Sequence, residues 1–259
     1  MALAVLGIPL VFNTGRSDAF IRDEVVGPLI AAGLPDDARV YGVCEKGAVW
    51  FRISAQFGPT GIGPLSVDES LAMPADFAEE MDLLVTGRFA SDVFFDHTKR
   101  AMVSVEQQKS IDTATYLAMQ PGFDDLAMRS LVGRGFGVRR LDDVRPDASG
   151  EVQWRIDPTI ISTDIESVRL GKDLGAARSV ELLSADGELP VAWRTVGDSR
   201  SDYAMADWLH AQGYSVEHVD VRPADGVPDK EYPIRVSATG AIHDEAGAEF
   251  LAGWLREIA

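Results

Sequence analysis

Hydrophobic and polar residues follow two different rhythms along this chain. Residues 7–13 (GIPLVFN) are a continuous apolar run of strand length, the pattern of a strand covered on both faces. A polar turn follows at 14–18 (TGRSD), rich in helix-capping side chains, and the apolar residues of 19–34 (AFIRDEVVGPLIAAGL) then recur at helical spacing. Residues 38–44 (ARVYGVC) read as a second short strand. Strand, helix and strand in that order predict a parallel α/β sheet. A passage dense in Gly and Pro, 57–66 (FGPTGIGPLS), marks a boundary. Beyond it, 74–89 and 113–135 read as helices, the second broken at Pro121, while 101–107 (AMVSVEQ) and 151–163 (EVQWRIDPTIIST) read as strands of a small antiparallel module. From about residue 166 the first rhythm returns: helix and turn at 166–187, strand at 190–198 (PVAWRTVGD), helix at 201–213, strand at 214–221 (YSVEHVDV) and a closing helix at 244–259. The predicted architecture is a doubly wound α/β core, residues 1–57 and 166–259, interrupted by an inserted α+β cap at 58–165.

Composition narrows the classes of partner. With 259 residues and 46% hydrophobic content the chain can bury a sizeable core. Its formal charge of −17 argues against nucleic acid and anionic membrane surfaces as partners, since both would repel it. A phosphorylated small molecule stays open, because a site can be locally positive on an acidic protein. Lysine is scarce: Lys46, Lys99, Lys109, Lys172 and Lys230 are all there are. Cys44 is the one cysteine, so no disulfide forms within the chain and a reducing cytoplasm is the expected compartment. The opening MALAVLGIPLVF lacks a basic leader and a small-residue cleavage site, and no run reaches the roughly 20 apolar residues of a membrane span. A soluble, cytoplasmic protein is expected.

Chemistry is expected at the carboxyl ends of the strands, where open α/β sheets bind ligands. After IPLVFN come Thr14, Gly15 and Arg16; after PVAWRTV come Gly197, Asp198, Ser199 and Asp202. A hydroxyl and backbone N–H groups at a helix start suit phosphate oxygens. Carboxylates in a loop and first helical turn suit a hard cation such as Mg2+, although Asp and Ser in such turns are also ordinary helix caps. Lys172, in LGKDLGAAR, stands near another helix start, where an ammonium can balance phosphoryl and carboxylate charge.

In these stretches the chain resembles the haloacid dehalogenase superfamily of phosphatases, in the branch that carries a large cap between its second and third motifs and includes Cof-type and sugar-phosphate phosphatases. GIPLVFNTGR is similar to the second motif, which implies that Thr14 is the phosphoryl-binding hydroxyl with Gly15 and Arg16 beside it. RLGKDLGAARSVELL is similar to the third, with Lys172 as its lysine, and TVGDSRSDYAMADWL to the fourth, with Asp198 and Asp202 as magnesium-facing acids. CEKGAVW resembles the Asn-Gly-Ala element after the second strand, with Lys46 in place of the usual Asn. The resemblance implies Mg2+-dependent hydrolysis of a small phosphorylated metabolite, such as a sugar phosphate.

The family's first motif, Asp-x-Asp-x-Thr, is missing from the chain. It should end a strand some thirty residues before Thr14, and thirteen residues precede Thr14 here. It would carry the nucleophilic aspartate and the general acid/base. The first reading is a shortened start that omits this strand; the alternatives are a pseudoenzyme that binds a phosphorylated ligand or a protein partner, and a second chain that supplies the strand.

Other signals point to structure. The four histidines show no zinc-binding spacing, and there is no Gly-x-Ser-x-Gly elbow. The segment 133–140 (GRGFGVRR) reads as a loop, Cys44 as a small core residue, and His97, Lys99 and Arg100 as a charged hairpin turn.

Overall fold

The structure, a computed structural model, describes residues 1–258. The chain divides into two units, one made of 1–66 and 171–259, the other of 67–170. The first unit opens with a short helix α1 (Ala2–Val5), strand β1 (Leu10–Asn13) and helix α2 (Asp18–Ile21), whose start Ser17 caps by accepting from Phe20 N at 3.3 Å. A π-helical turn at Arg22–Val26 carries α2 into α3 (Gly27–Ala31). Strand β2 (Val40–Cys44) is buried along its whole length, Cys44 included, and pairs in parallel with β1 and antiparallel with β3 (Val49–Arg52). The short β4 (Ser66–Val67) completes this sheet in the order β1-β2-β3-β4. The Gly/Pro-rich passage at 57–66 therefore belongs to this unit: Ile62 bridges back to Ile53, so the boundary falls about ten residues later than the composition shift suggested.

The second unit is α+β. Helix α4 (Ala75–Leu84) precedes the hairpin of β5 (Val93–Phe95) and β6 (Val103–Gln107). Helix α5 (Thr113–Gly133) then runs unbroken through Pro121, against the break expected there. A proline costs the helix a donor, but α5 is held on both sides of it. Gln120 Nε2 donates to Thr159 O at 3.0 Å and Ser162 O at 3.1 Å, and Asp124 accepts from Thr163 Oγ1 at 2.8 Å. Strands β7 (Val138–Arg140) and β8 (Asp143–Arg145) follow, so the segment 133–140 ends in a strand where a loop was expected. The expected strand 151–163 is two strands, β9 (Trp154–Pro158) and β10 (Ser162–Ser167), folded back at a turn in which Thr159 N donates to Ser162 O at 2.7 Å. The sheet order is β5-β6-β10-β9-β7-β8. One continuous core, including Phe77, Met81, Phe123, Leu131, Ile156 and Ile165, lies beneath it.

The chain then returns to the first unit with α6 (Lys172–Ala185), β11 (Ala192–Gly197), α7 (Tyr203–Ala211), β12 (Ser215–Asp220), β13 (Ile234–Arg235) and α8 (His243–Ile258). Strands β11, β12 and β13 form a separate, all-parallel sheet. Helix α6 packs on β1 and β2 and also against α7, which covers β11 and β12. Both sheets of this unit end in a strand that pairs on one side: β1 in the first and β11 in the second. Accordingly β1 is half-buried at every residue, and Val196 on β11 keeps 38% of its surface, less covered than buried-type runs predict.

Candidate functional site

The residues after β1, the turn after β2 and the start of α6 are joined by backbone hydrogen bonds. Thr14 N donates to Val43 O at 2.9 Å, extending the β1–β2 pairing by one step. Thr14 O accepts from Lys46 N at 3.0 Å, and Lys46 O accepts from Gly171 N at 3.0 Å. The Thr14 hydroxyl accepts from Arg16 N at 3.0 Å, which bends the chain into the Ser17-capped helix. Gly15 is half-buried, while Arg16 is exposed and lays its guanidinium 5.2 Å from the Phe20 ring centre.

Asn13 and Lys172 cross-link this turn to α6. Asn13 Nδ2 donates to Lys172 O at 2.8 Å, and Lys172 Nζ donates back to Asn13 O at 3.0 Å. The approach is possible because residue 175 is glycine: a Cβ there would stand 2.1 Å from Asn13 Oδ1. The same ammonium lies 2.7 Å from Asp202 Oδ1. Lys172 thus ties the carboxyl end of β1 to the loop after β11, bringing together Thr14, Lys172 and Asp202, residues spread over most of the sequence.

Asp202 is held on its other side as well. Its Oδ2 accepts from Asp198 N at 3.1 Å, Ser199 N at 3.0 Å and Ser199 Oγ at 2.9 Å, a capping box that starts the turn into α7. Gly197 leaves the room required, since a Cβ there would fall 2.2 Å from Asp202 Cβ. Burial alone would raise the Asp202 pKa. The Lys172 charge and hydrogen bond, with those from Ser199 and Asp198, outweigh it and hold the carboxyl below its ordinary value. Both Asp202 oxygens are therefore engaged by Lys172 and the cap, where a carboxylate open to Mg2+ was expected. Asp198 is exposed. Among the described residues no group of three His, Cys, Asp or Glu side chains comes together to hold a metal ion.

Asn13 was not singled out in the sequence; its signal was its place as the last residue of the apolar run, directly before Thr14. A second polar cluster was also missed. On β12, His218 is fully buried, shares a hydrogen bond of 2.7 Å with Thr195 through Nδ1, and stacks on Tyr203 with ring centres 4.3 Å apart. Its Nε2 is buried without a hydrogen-bond partner among the described residues, and burial lowers its pKa. Tyr203 in turn donates to Asp220 at 2.6 Å. A histidine inside an alternating strand offers no spacing by which to find such a cluster. In the second unit His97 is an exposed turn residue, 3.7 Å from Asp82.

No protein-family model matches the chain, and no curated protein sequence does. Among solved structures it is similar to a trehalose-6-phosphate phosphatase of Aspergillus fumigatus (14% identity over all of this chain and 81% of the other, TM-score 0.47). It is also similar to the sucrose-phosphatase of a Synechocystis species in complex with sucrose and phosphate (16% identity, 98% of this chain and 89% of the other, TM-score 0.47). An IMP-nucleotidase of Plasmodium falciparum is more distant, with 6% identity, 85% and 48% coverage, and a TM-score of 0.35. Likeness of this degree bears on neither family nor activity. Among the described residues no helix is long and apolar enough to cross a membrane.

Proposed function

We propose that this chain binds the phosphoryl group of a small phosphorylated metabolite, a sugar phosphate in the first instance, as the core of a phosphomonoester hydrolase of the haloacid dehalogenase type. The supporting observation is the Lys172 bridge: one ammonium contacts both Asn13 O and Asp202 Oδ1, and so joins three polar stretches that stood out separately in the sequence. In this reading the Thr14 hydroxyl and the N–H groups of its turn receive phosphoryl oxygens, with Gly15 permitting close approach and Arg16 at the rim. Lys172 offsets the charge of the bound group, and Asp202 fixes where Lys172 points. Asp198 is the acid with room for a cation. A magnesium ion would find there one open carboxylate, a thin donor set beside the several oxygen ligands Mg2+ prefers. Phosphate capture is therefore assigned to Thr14 and Lys172 without a metal.

Hydrolysis of this type begins with a carboxylate attacking phosphorus. The acids described at the site are a helix cap, Asp202, and an exposed loop residue, Asp198. That supports a second reading, capture of the phosphorylated ligand without turnover. Phosphate release from a panel of sugar phosphates, with and without Mg2+, measured beside calorimetric binding of the same compounds, separates the two. Turnover that Asp198→Asn abolishes supports the hydrolase. Binding with no release supports the second reading, and absence of both contradicts the site itself.

A further inference from the structure

The turn after β2 is strained backbone. Glu45 (φ 49°) and Lys46 (φ 56°) are consecutive non-glycine residues in the left-handed region, a conformation that costs roughly 1–2 kcal/mol per residue. Strain of this kind persists where the surroundings over-determine it, and it gathers at functional sites. Here the surroundings are explicit. Glu45 N donates to Arg16 O and Lys46 N to Thr14 O, each at 3.0 Å, and Lys46 O accepts from Gly171 N at 3.0 Å. Gly47 (φ 103°) is pressed against α6, with 2.8 Å between a Cβ placed on it and Leu174 Cγ.

The strained turn sends the Lys46 side chain across the Thr14–Arg16 turn. Its Cε and Cγ lie 3.5 and 3.7 Å from where a Cβ on Gly15 would stand. The ammonium is one bond beyond that Cε. Lys46 and Lys172 are two of only five lysines in a chain of net charge −17, and a single hydrogen bond, Gly171 N to Lys46 O, separates their backbones. A lysine ammonium beside the turn would bring a point charge to a phosphate ligand there.

We infer that Lys46 is a second phosphate-binding residue, beside the Thr14 turn. The inference rests on the phosphate site proposed above and adds to it the residue that sets affinity. The strain at residue 46 supplies the test, because a glycine there relieves the backbone while removing the charge. Inorganic phosphate is titrated calorimetrically, at several salt concentrations, into the full chain and its Lys46→Gly, Lys46→Arg and Lys172→Met variants, with thermal unfolding of each. Lys46→Gly is expected to raise the melting temperature and to weaken phosphate binding at least tenfold. It should also flatten the dependence of log Kd on log salt. Lys46→Arg should keep binding within about threefold. If Lys46→Gly binds as the parent does while Lys172→Met does not, the role of Lys46 is overturned and the site stands. If the parent chain itself binds no phosphate, both fall together.

Discussion

The two units solve the same packing problem in opposite ways. The inserted unit has one sheet of six strands over one continuous core, and its inner polar groups, Gln120, Thr163 and Asp124, serve each other. The α/β unit has two sheets, and the apolar residues of β12 fall into two separate clusters, one with α7 and one with α8. The latter unit's two sheets are linked through α6, whose Ala176 and Val180 join the apolar cluster of α7 and β12, and through the polar contacts of Asn13 and the Lys172–Asp202 pair. Polar cross-links are weaker cement than a shared core, because each charge must be desolvated before it is paired. They are, however, what a charged ligand can use. In this chain the unit with the continuous apolar core and the unit that carries the proposed phosphate site are different ones.

The largest effect should come from cutting the bridge. Lys172→Met leaves Asp202 ionised, nearly buried and without its cation, and breaking such a pair costs about 3–5 kcal/mol. Chemical denaturation should show this loss for the α/β unit, while Lys172→Met with Asp202→Asn together should recover part of it. A selective loss from the inserted unit would break the comparison.

Next is Gly175→Ala. Its Cβ would stand 2.1 Å from Asn13 Oδ1, so the Asn13 amide must leave its place, with its bond to Lys172 O, or α6 must shift, at a cost of about 1–3 kcal/mol. Hydrogen exchange should quicken at Asn13 and the first turn of α6.

The units should also answer pH in opposite directions. Burial in the inserted unit raises Asp124 to about 6, against the opposing hydrogen bond from Thr163. The folded unit therefore holds a proton that the unfolded chain releases from about pH 4, and it loses stability as pH rises from there through 6, by on the order of 3 kcal/mol. Asp124→Asn should remove this slope, stabilising the unit at pH 7.5 and changing it little at pH 4. In the α/β unit burial lowers the pKa of His218 below its ordinary 6.5. Unfolded chain takes up a proton there first, so this unit weakens as pH falls through 6.5. Hydrogen exchange at pH 5 and 7 reads each unit separately. Slopes of one sign in both units would contradict the contrast.

Much of this contrast was legible in the sequence, for reasons that differ by element. The α/β rhythm was readable from the apolar run that became β1, the short strand that became β2, and the helical spacing of apolar residues between them. The insertion was readable from the change of rhythm, but its edge was not, since the Gly/Pro passage folds back through Ile62 onto Ile53. Pro121 misled because α5 is held by side-chain bonds from Gln120 and Asp124 that no local pattern reveals. At the site, Thr14, Lys172, Asp198 and Asp202 stood out by position after strands. That Asp202 caps a helix and grips Lys172, both at once, depends on residues thirty positions apart and could not be read locally. The role of Asn13 depends on Gly175, at still greater separation.

The central claim is that the Lys172 bridge marks a phosphate site. The direct measurement is a calorimetric titration of inorganic phosphate into the full chain, in the presence of a metal chelator, compared with Thr14→Val. Saturable binding to one site, weakened at least tenfold by Thr14→Val while the melting temperature stays within a few degrees, is the result expected. Equal affinity in the two proteins, or no saturable binding in either, would contradict it.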